Sequence, residues 1–413
     1  MAEESQDERD QSVRRLVDWY LVQVTTTGEL LDAGQSGTPA GQTGTSAGQP
    51  TEFSDEDQAT AWLEYESHNL AAGIGHAAQR GWHPHACQLA QAAQRFWYLH
   101  GSLDDWITAH EHAVSVARAG GDPGTIAQVL DQLGTGYGQL GRYAEALECY
   151  EQALLVWCQL GDRGGEATAL SHVGNAYARM GSHPEAVDHY RRALRLLREA
   201  GDQSGEATVL TNLGLVDQRC GRVAVAERRY REALGLRRAL GDQFGEAHSL
   251  DCLGALYASA GRCAEALNHL TGALSGYQRV GHRNRQAGVW NTLGIVHRQR
   301  GRYREALDHH IRAFTIGRRI GDRGLVYAAL NEAGATCQVA GRHAEALRWY
   351  EEALCMARLC RDRYEQARAH DGIAQVLSAT GQPERVARHS AQARRLYADL
   401  GVPAPAEPRT AAG

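Results

Sequence analysis

The chain has 413 residues, with 43 Arg plus Lys against 49 Asp plus Glu and a formal net charge of -6. Every one of those cations is Arg. That excludes a Walker P-loop, a Schiff-base lysine and a kinase lysine, each of which needs an ammonium group; it reads as the coding bias of a GC-rich genome. The hydrophobic share of 43% is enough for a packed core, and no apolar run approaches the ~20 residues of a membrane span.

The first residues, MAEESQDERDQ, are acidic and polar, unlike a secretory signal. Residues 1–32 read as an N-terminal helical segment, and residues 33–54, rich in Gly, Ser, Thr, Gln and Pro, as a flexible linker. Residues 55–120 read as a helical lead-in and residues 401–413 as a disordered tail. Nine Cys are scattered without CxxC spacing, which points to reduced thiols and a cytoplasmic location.

Residues 121–400 carry a period of forty without one insertion, from Gly121 through rows opening at Gly161, Gly201, Gly241, Gly281, Gly321 and Arg361. Positions are numbered below from 1 at each of these residues. Each row holds two helical patterns, the first with apolar residues such as Leu130, Leu133 and Tyr137, the second with Ala146, Tyr150, Ala153 and Leu154 on one face. Gly-Asp pairs such as Gly161-Asp162 join the rows; the Gly suits a left-handed C′ residue and the Asp an N-cap. Position 14 is Gly134, Gly174, Gly214, Gly254, Gly294 and Gly334, inside the first helix, where each glycine costs about 1 kcal/mol relative to Ala. The expectation is a compensating close approach to the small residues of the second helix, Ala146 and its equivalents.

Leu133-Gly134, Tyr137, Ala146, Tyr150 and Ala153 at constant spacing resemble the tetratricopeptide repeat (TPR) in a forty-residue form. The resemblance covers 121–400, and more weakly 81–120, where Trp97, Tyr98, Gly101 and Ala113 stand in similar places; the last row has Ser390 at its second aromatic position, as suits a capping repeat. It implies an all-α, right-handed superhelical solenoid of about seven or eight helix pairs, with first helices on the concave side. The stretches 14–21, 61–90 and 104–122 also resemble the start of the C-terminal sensor region in actinobacterial STAND and SARP-type regulators. Neither a Walker motif nor a basic helix-turn-helix precedes them here, so ATP and DNA binding do not carry over, and any nucleotide-binding or DNA-binding regulator is a partner in cis or in trans.

Helical geometry places positions 8, 11, 15 and 18 on one face of the first helix. Position 11 is polar and short in every row: Asp131, Ser171, Thr211, Asp251, Asn291, Asn331 and Asp371. Asn175 adds position 15, and positions 18 and 19 add Gln139, Arg179, Arg219, Arg298 and Gln338. Asn and Gln bond both N–H and C=O of an extended chain, so these residues form a candidate peptide- or protein-binding groove. The alternatives are a peptide-pheromone or small-molecule receptor and a passive scaffold using its outer wall.

In the fifth row His297 replaces the inner Tyr and His310 the aromatic of the second helix, and the two are expected to pack together. Asp217 at the register of His297 needs a nearby Arg such as Arg222 or Arg228. His83-Pro-His85 and His110-Glu-His112 lack the four convergent ligands of structural zinc. The Arg-rich stretches 191–198 and 228–238 are interleaved with Glu199, Glu227 and Glu232 and read as a solvated, ion-paired outer face rather than a nucleic-acid surface. No catalytic motif stands out, so neither enzyme activity nor a cofactor is expected.

Overall fold

The computed structural model describes residues 6–36, 53, 56–99, 103–120, 122–359 and 362–400. Among the described residues there are α-helices and no strands. The lead-in comprises α1 (Gln6–Ser36), α2 (Glu56–Gln79), α3 (His83–Leu99) and α4 (Leu103–Gly120). The repeats follow as pairs: α5 (Pro123–Gln139) with α6 (Tyr143–Leu160), α7 (Arg163–Met180) with α8 (His183–Ala200), and α9 (Gln203–Arg219) with α10 (Val223–Ala239). Then come α11 (Gln243–Ser259) with α12 (Cys263–Arg279), α13 (Arg283–Gln299) with α14 (Tyr303–Arg319), α15 (Arg323–Val339) with α16 (His343–Leu359), and α17 (Arg363–Ala379) with α18 (Pro383–Asp399). The chain divides into two compact units, Met1–Gly241 and Asp242–Gly413. Residues 33–36, placed in the linker by composition, are the last turn of α1; residues 37–52 and 54 of that linker and the 401–413 tail lie outside the described residues.

Local chemistry explains the joints. Asp122, Asp162, Asp202, Asp242, Asp322 and Asp362 each accept the backbone N–H three residues on, as N-caps do. Gly161 and Gly201 close α6 and α8 at φ 68° and 71°, where a side chain would be strained. In the lead-in, Val17, Tyr20 and Val24 are buried, Trp19 meets Trp62 edge-on at 5.9 Å, and the Tyr20 hydroxyl donates to Glu66 at 2.6 Å.

The position-14 glycines meet a ring as well as the expected small residue: a Cβ on Gly134 would stand 2.7 Å from the Tyr150 ring and 3.1 Å from the Ala146 carbonyl oxygen. A Cβ on Gly214 would stand 2.6 Å from the Tyr230 ring and one on Gly174 2.8 Å from the Tyr190 ring. The ring at position 30, one turn beyond the alanine, lies across the glycine. Where position 30 is not Tyr the fit is kept: Gly254 faces Leu270 and Gly294 faces His310. Tyr190 and Tyr230 are completely buried here, so each glycine admits a large ring into the pair.

Positions 17 and 29 form a second matched contact. Tyr177 stacks on His189 at 5.5 Å, Tyr257 meets His269 at 5.1 Å, and His297 meets His309 at 4.9 Å. His297 therefore pairs with His309; His310, expected as its partner, points the other way, beneath Gly294. In the third repeat the same register holds an ion pair. Asp217, 2% exposed, lies 2.5 Å from Arg229 and 2.7 Å from Arg222. Arg229 replaces the expected Arg228, since position 29 faces position 17. Arg222 is available because Val225 stands where other repeats carry Glu: Arg142 and Arg262 bond Glu145 and Glu265 and also cover Tyr137 and Tyr257. On the outer helices Glu199 pairs with Arg163, Glu227 with Arg231, and Glu232 with Arg198, exposed contacts of about 0–1 kcal/mol each.

Two outcomes follow for denaturation of the whole chain. Gly214→Ala should destabilise by about 1–3 kcal/mol through overpacking against Tyr230, whereas Gly235→Ala, exposed in α10 with open space around it, should stabilise by up to about 1 kcal/mol. Arg229→Leu should cost about 1–3 kcal/mol by leaving one oxygen of the buried Asp217 carboxylate unpaired, with Arg222 still on the other, and the double variant Asp217→Tyr/Arg229→His, which installs the pair of repeats two and four, should recover most of that loss.

Candidate functional site on the first-helix face

Within the first unit α5 touches α7 and α7 touches α9, while α6, α8 and α10 make no comparable contact with one another among the described residues. In the second unit α11, α13, α15 and α17 are joined in the same way. Each stack therefore bends toward its first helices, which line its inner face.

In the first unit the open positions on this face are 8, 12, 15 and 19. Gln128, Gln139, Thr168, Asn175, Arg179, Thr208 and Arg219 are exposed there, and His172 and Asn212 are half-buried. The hydroxyls of Thr168 and Thr208 donate to carbonyls of their own helices, leaving acceptor lone pairs outward. The Asn175 carbonyl oxygen accepts from the Tyr190 hydroxyl at 2.6 Å, so its two N–H groups remain. In the second unit the equivalent position 15 is smaller or apolar and half-buried, as Ala255, Ile295 and Ala335.

Position 11 lies deeper than the helical wheel implies. Asp131, Thr211 and Asn331 are buried, and Ser171, Asp251, Asn291 and Asp371 half-buried. The reason is the facing position 37 of the second helix. Asp131 accepts from the Trp157 indole N–H at 3.1 Å and sits 3.3 Å from His172 of the next repeat. Asp251 accepts a bond from the Tyr277 hydroxyl; burial pushes its carboxyl up to about 6, against the opposing pull of Arg285 and that bond. Asp371 acts electrostatically on Tyr397 and accepts from Gln375 at 2.9 Å. Aspartate at position 11 thus occurs where position 37 is Trp or Tyr. Ser171 and Thr211 donate instead to Ala167 and Ala207 carbonyls.

The polar residues of the second unit are largely engaged with one another. Arg298 donates to Glu332 at 2.8 Å, Arg368 bridges Glu332 and Glu365, and Asn331 donates to Glu365 at 2.6 Å. Burial would raise the Glu332 carboxyl, yet Arg298 and Arg368 together bring it below its ordinary value. Asn291 lies 2.7 Å from His310, whose Nδ1 donates to the amide oxygen. Glu332, Glu365 and Arg368 escaped the sequence reading because they sit at positions 12, 5 and 8, where other rows have no matching charge; Arg and Glu exchanged between neighbouring rows was the available signal.

Other sequence candidates are separate. His110 is buried with Nδ1 donating to the Trp106 carbonyl at 2.9 Å, and His85 lies 3.1 Å from Asp18. Among the described residues no group of three His, Cys, Asp or Glu is placed to hold a metal ion, and no helix is long and apolar enough to cross a membrane.

A family model described as a tetratricopeptide repeat matches residues 125–199, 205–279 and 285–358, more than half of the chain. No curated protein matches significantly. Among solved structures, the chain is similar to the Rap conjugation gene regulator of plasmid pLS20 in complex with the Phr* peptide (TM-score 0.58, 14% identity, 81% of this chain and 96% of that one). It is similar to aspartyl phosphate phosphatase F of Bacillus subtilis (TM-score 0.57, 11% identity, 82% and 96%). It is also similar to a signal transduction ATPase with numerous domains (STAND) carrying a tetratricopeptide repeat sensor, from Pyrococcus horikoshii (TM-score 0.53, 13% identity, 77% and 47%), and so spans about half the length of that protein. At these identities the likeness is one of fold: an all-α tetratricopeptide solenoid.

The buried half of the face carries a pH signature. Burial pushes the His310 imidazole down to about 4 from an ordinary 6.5. The unfolded chain therefore holds more protons between these limits, and stability present above pH 6.5 is lost as the pH falls through that window. His310→Tyr, which restores the ring of repeats one to three, should lose less stability than the parent chain on acidification. At about pH 5 the difference should reach roughly 2 kcal/mol, measured by denaturant midpoints across the range.

Proposed function

The chain belongs to the tetratricopeptide repeat family, and from that premise we propose that it is a non-enzymatic module that binds an extended peptide or protein segment along its first-helix face. The observation that carries this reading is the run of solvent-facing uncharged amides and hydroxyls on consecutive first helices: Gln128 and Gln139 on α5, Thr168 and Asn175 on α7, and Thr208 on α9, beside the half-buried Asn212. Such groups bond a backbone without regard to its side chains, at about 0.5–1.5 kcal/mol each. The similarity to a Rap regulator solved with a peptide supports the same reading.

Of the sequence-derived contacts, Asn175 is the most accessible. Ser171, Asp251, Asn291, Arg298 and Asp371 contribute from half-buried positions, and Asp131, Thr211 and Asn331 serve as the wall behind them. Occupancy would be passed to a regulator in cis or in trans, the chain acting as sensor or adaptor in a bacterial transcriptional system. The likeness to a STAND protein with a repeat sensor favours that association.

Selection of a random peptide display library on the full chain tests the reading. Enriched peptides should bind the parent chain and lose about tenfold or more in affinity with Asn175→Ala/Asn212→Ala, while Arg191→Gln/Arg195→Gln on the outer face of α8 leaves binding intact. Loss confined to the outer variant would replace the groove by a scaffold surface, and selection of no peptide would defeat the proposal.

A further inference from the structure

The second unit carries a thiol within reach of an imidazole. Cys252 and His248 stand at positions 12 and 8 of α11, one turn apart on the same side of the helix, with Sγ and Nε2 3.9 Å from each other. Both are half-buried, so each keeps part of its surface open to small solutes. The imidazole is held in place. Its ring lies parallel to that of Phe244, one turn earlier, at 6.5 Å and 5°. Phe244 in turn packs on Tyr277 of α12 at 5.8 Å and on His282, the N-cap of α13, at 5.1 Å. Three helices therefore orient the base that faces the sulfur. Charged neighbours include Asp251, which is bonded by the Tyr277 hydroxyl, and Arg285 of α13, which acts on that carboxyl.

The repeat does not require this pair. At position 12 the other rows carry Gln132, His172, Asn212, Thr292, Glu332 and Gly372, and no other row joins a Cys there to a His at position 8. Other thiols of the chain are placed differently. Burial pushes those of Cys87 and Cys149 up to about 11 and raises that of Cys337, which keeps them protonated. Cys263 donates to Gln299 at 3.6 Å. A free thiol is only a few per cent thiolate at neutral pH, and the thiolate is the nucleophile. A base at the distance of His248 supplies what the sulfur of Cys252 needs: with its own proton on Nδ1, the imidazole accepts the thiol proton at Nε2.

We propose that Cys252 and His248 form a thiol–imidazole dyad at which the chain is reversibly oxidised by hydrogen peroxide. The thiol proton passes to Nε2 of His248, and the thiolate sulfur attacks one peroxide oxygen. The S–O bond forms as the O–O bond breaks, and the departing hydroxide takes the proton back from the imidazolium as water. Sulfur is oxidised to a sulfenic acid and the peroxide is reduced. A low-molecular-weight thiol reverses the step: one equivalent condenses with the sulfenic acid to a mixed disulfide and water, and a second releases Cys252 as the thiol together with the small disulfide. The site stands whether or not a peptide occupies the first-helix face.

The test follows each cysteine of the full chain by peptide mass spectrometry. With hydrogen peroxide and dimedone present together, the sulfenic-acid adduct on the parent chain should form at Cys252 ahead of the exposed Cys158 and Cys355. With iodoacetamide at pH 7, His248→Gln should slow alkylation of Cys252 about tenfold and leave Cys355 unchanged. At pH 10, where thiols ionise without a base, parent and variant should converge. Adducts at Cys158 or Cys355 before Cys252 would overturn the proposal, as would an unchanged rate in His248→Gln at pH 7. A deficit that persists at pH 10 would assign His248 to packing around the sulfur and overturn its role as base. The first measurement needs no variant, so the proposal stays open to refutation even if His248→Gln does not fold.

Discussion

The contact on which the repeats depend is a ring laid across a glycine. Position 14 has no Cβ, so the aromatic at position 30 enters the space between paired helices and is buried there, as Tyr190 and Tyr230 are. The helix-propensity penalty at the glycine is about 1 kcal/mol, small beside the roughly 1.5–3 kcal/mol of burying a large apolar side chain. With that spacing fixed, the rotation of each helix follows. Rotation then decides which residues meet at positions 17 and 29, which meet at 11 and 37, and which are left to solvent. The open face exists because the other contacts use up the remaining faces.

Compensation inside this frame is local. The third repeat exchanges an aromatic–histidine contact for the Asp217–Arg229 pair, and Arg222, released by Val225, completes the charge balance. The fifth repeat keeps the ring-on-ring geometry with His297 and His309. Aspartates at position 11 have aromatic donors or neighbours across from them. Each of these substitutions, unfavourable in one row taken alone, is answered within the same helix pair; the Arg298–Glu332–Arg368–Glu365 set of the second unit is, by contrast, balanced across rows.

Much of this was legible in the sequence and some was not, for definable reasons. The forty-residue period, the Gly and Asp joints and the alternation of two helices follow from spacing and capping chemistry, which act within a few residues. The depth of Asp131 or Asn331 did not follow, because a helical wheel assigns a face but not what lies opposite it; Trp157 and Glu365, far away in sequence, decide that. Of the two partners read for Asp217, Arg222 does pair with it, whereas Arg228 stands one residue, a rotation of about 100° on the helix, from the second partner Arg229, for the same reason. The pairing of positions 11 and 37 was nevertheless present in the rows, since Asp131, Asp251 and Asp371 stand with Trp157, Tyr277 and Tyr397. Reading the rows two columns at a time would have exposed it.

The joints have a consequence for the history of the chain. Each Gly-Asp junction is capped by its own residues, so excising the segment from Gly161 to Ala200 would join chemically equivalent ends and orphan no backbone group at the scar. Recombination between neighbouring repeats in the gene can thus shorten or lengthen the stack by whole units in one event. The brake on such events is seen in two contacts: Asp131 would meet Asn212 in place of His172, and Glu232 would meet Cys158 in place of Arg198. The number of repeats is therefore easy to change in outline and is held in place by specific cross-row partners, which makes the length of the first-helix face a trait open to selection.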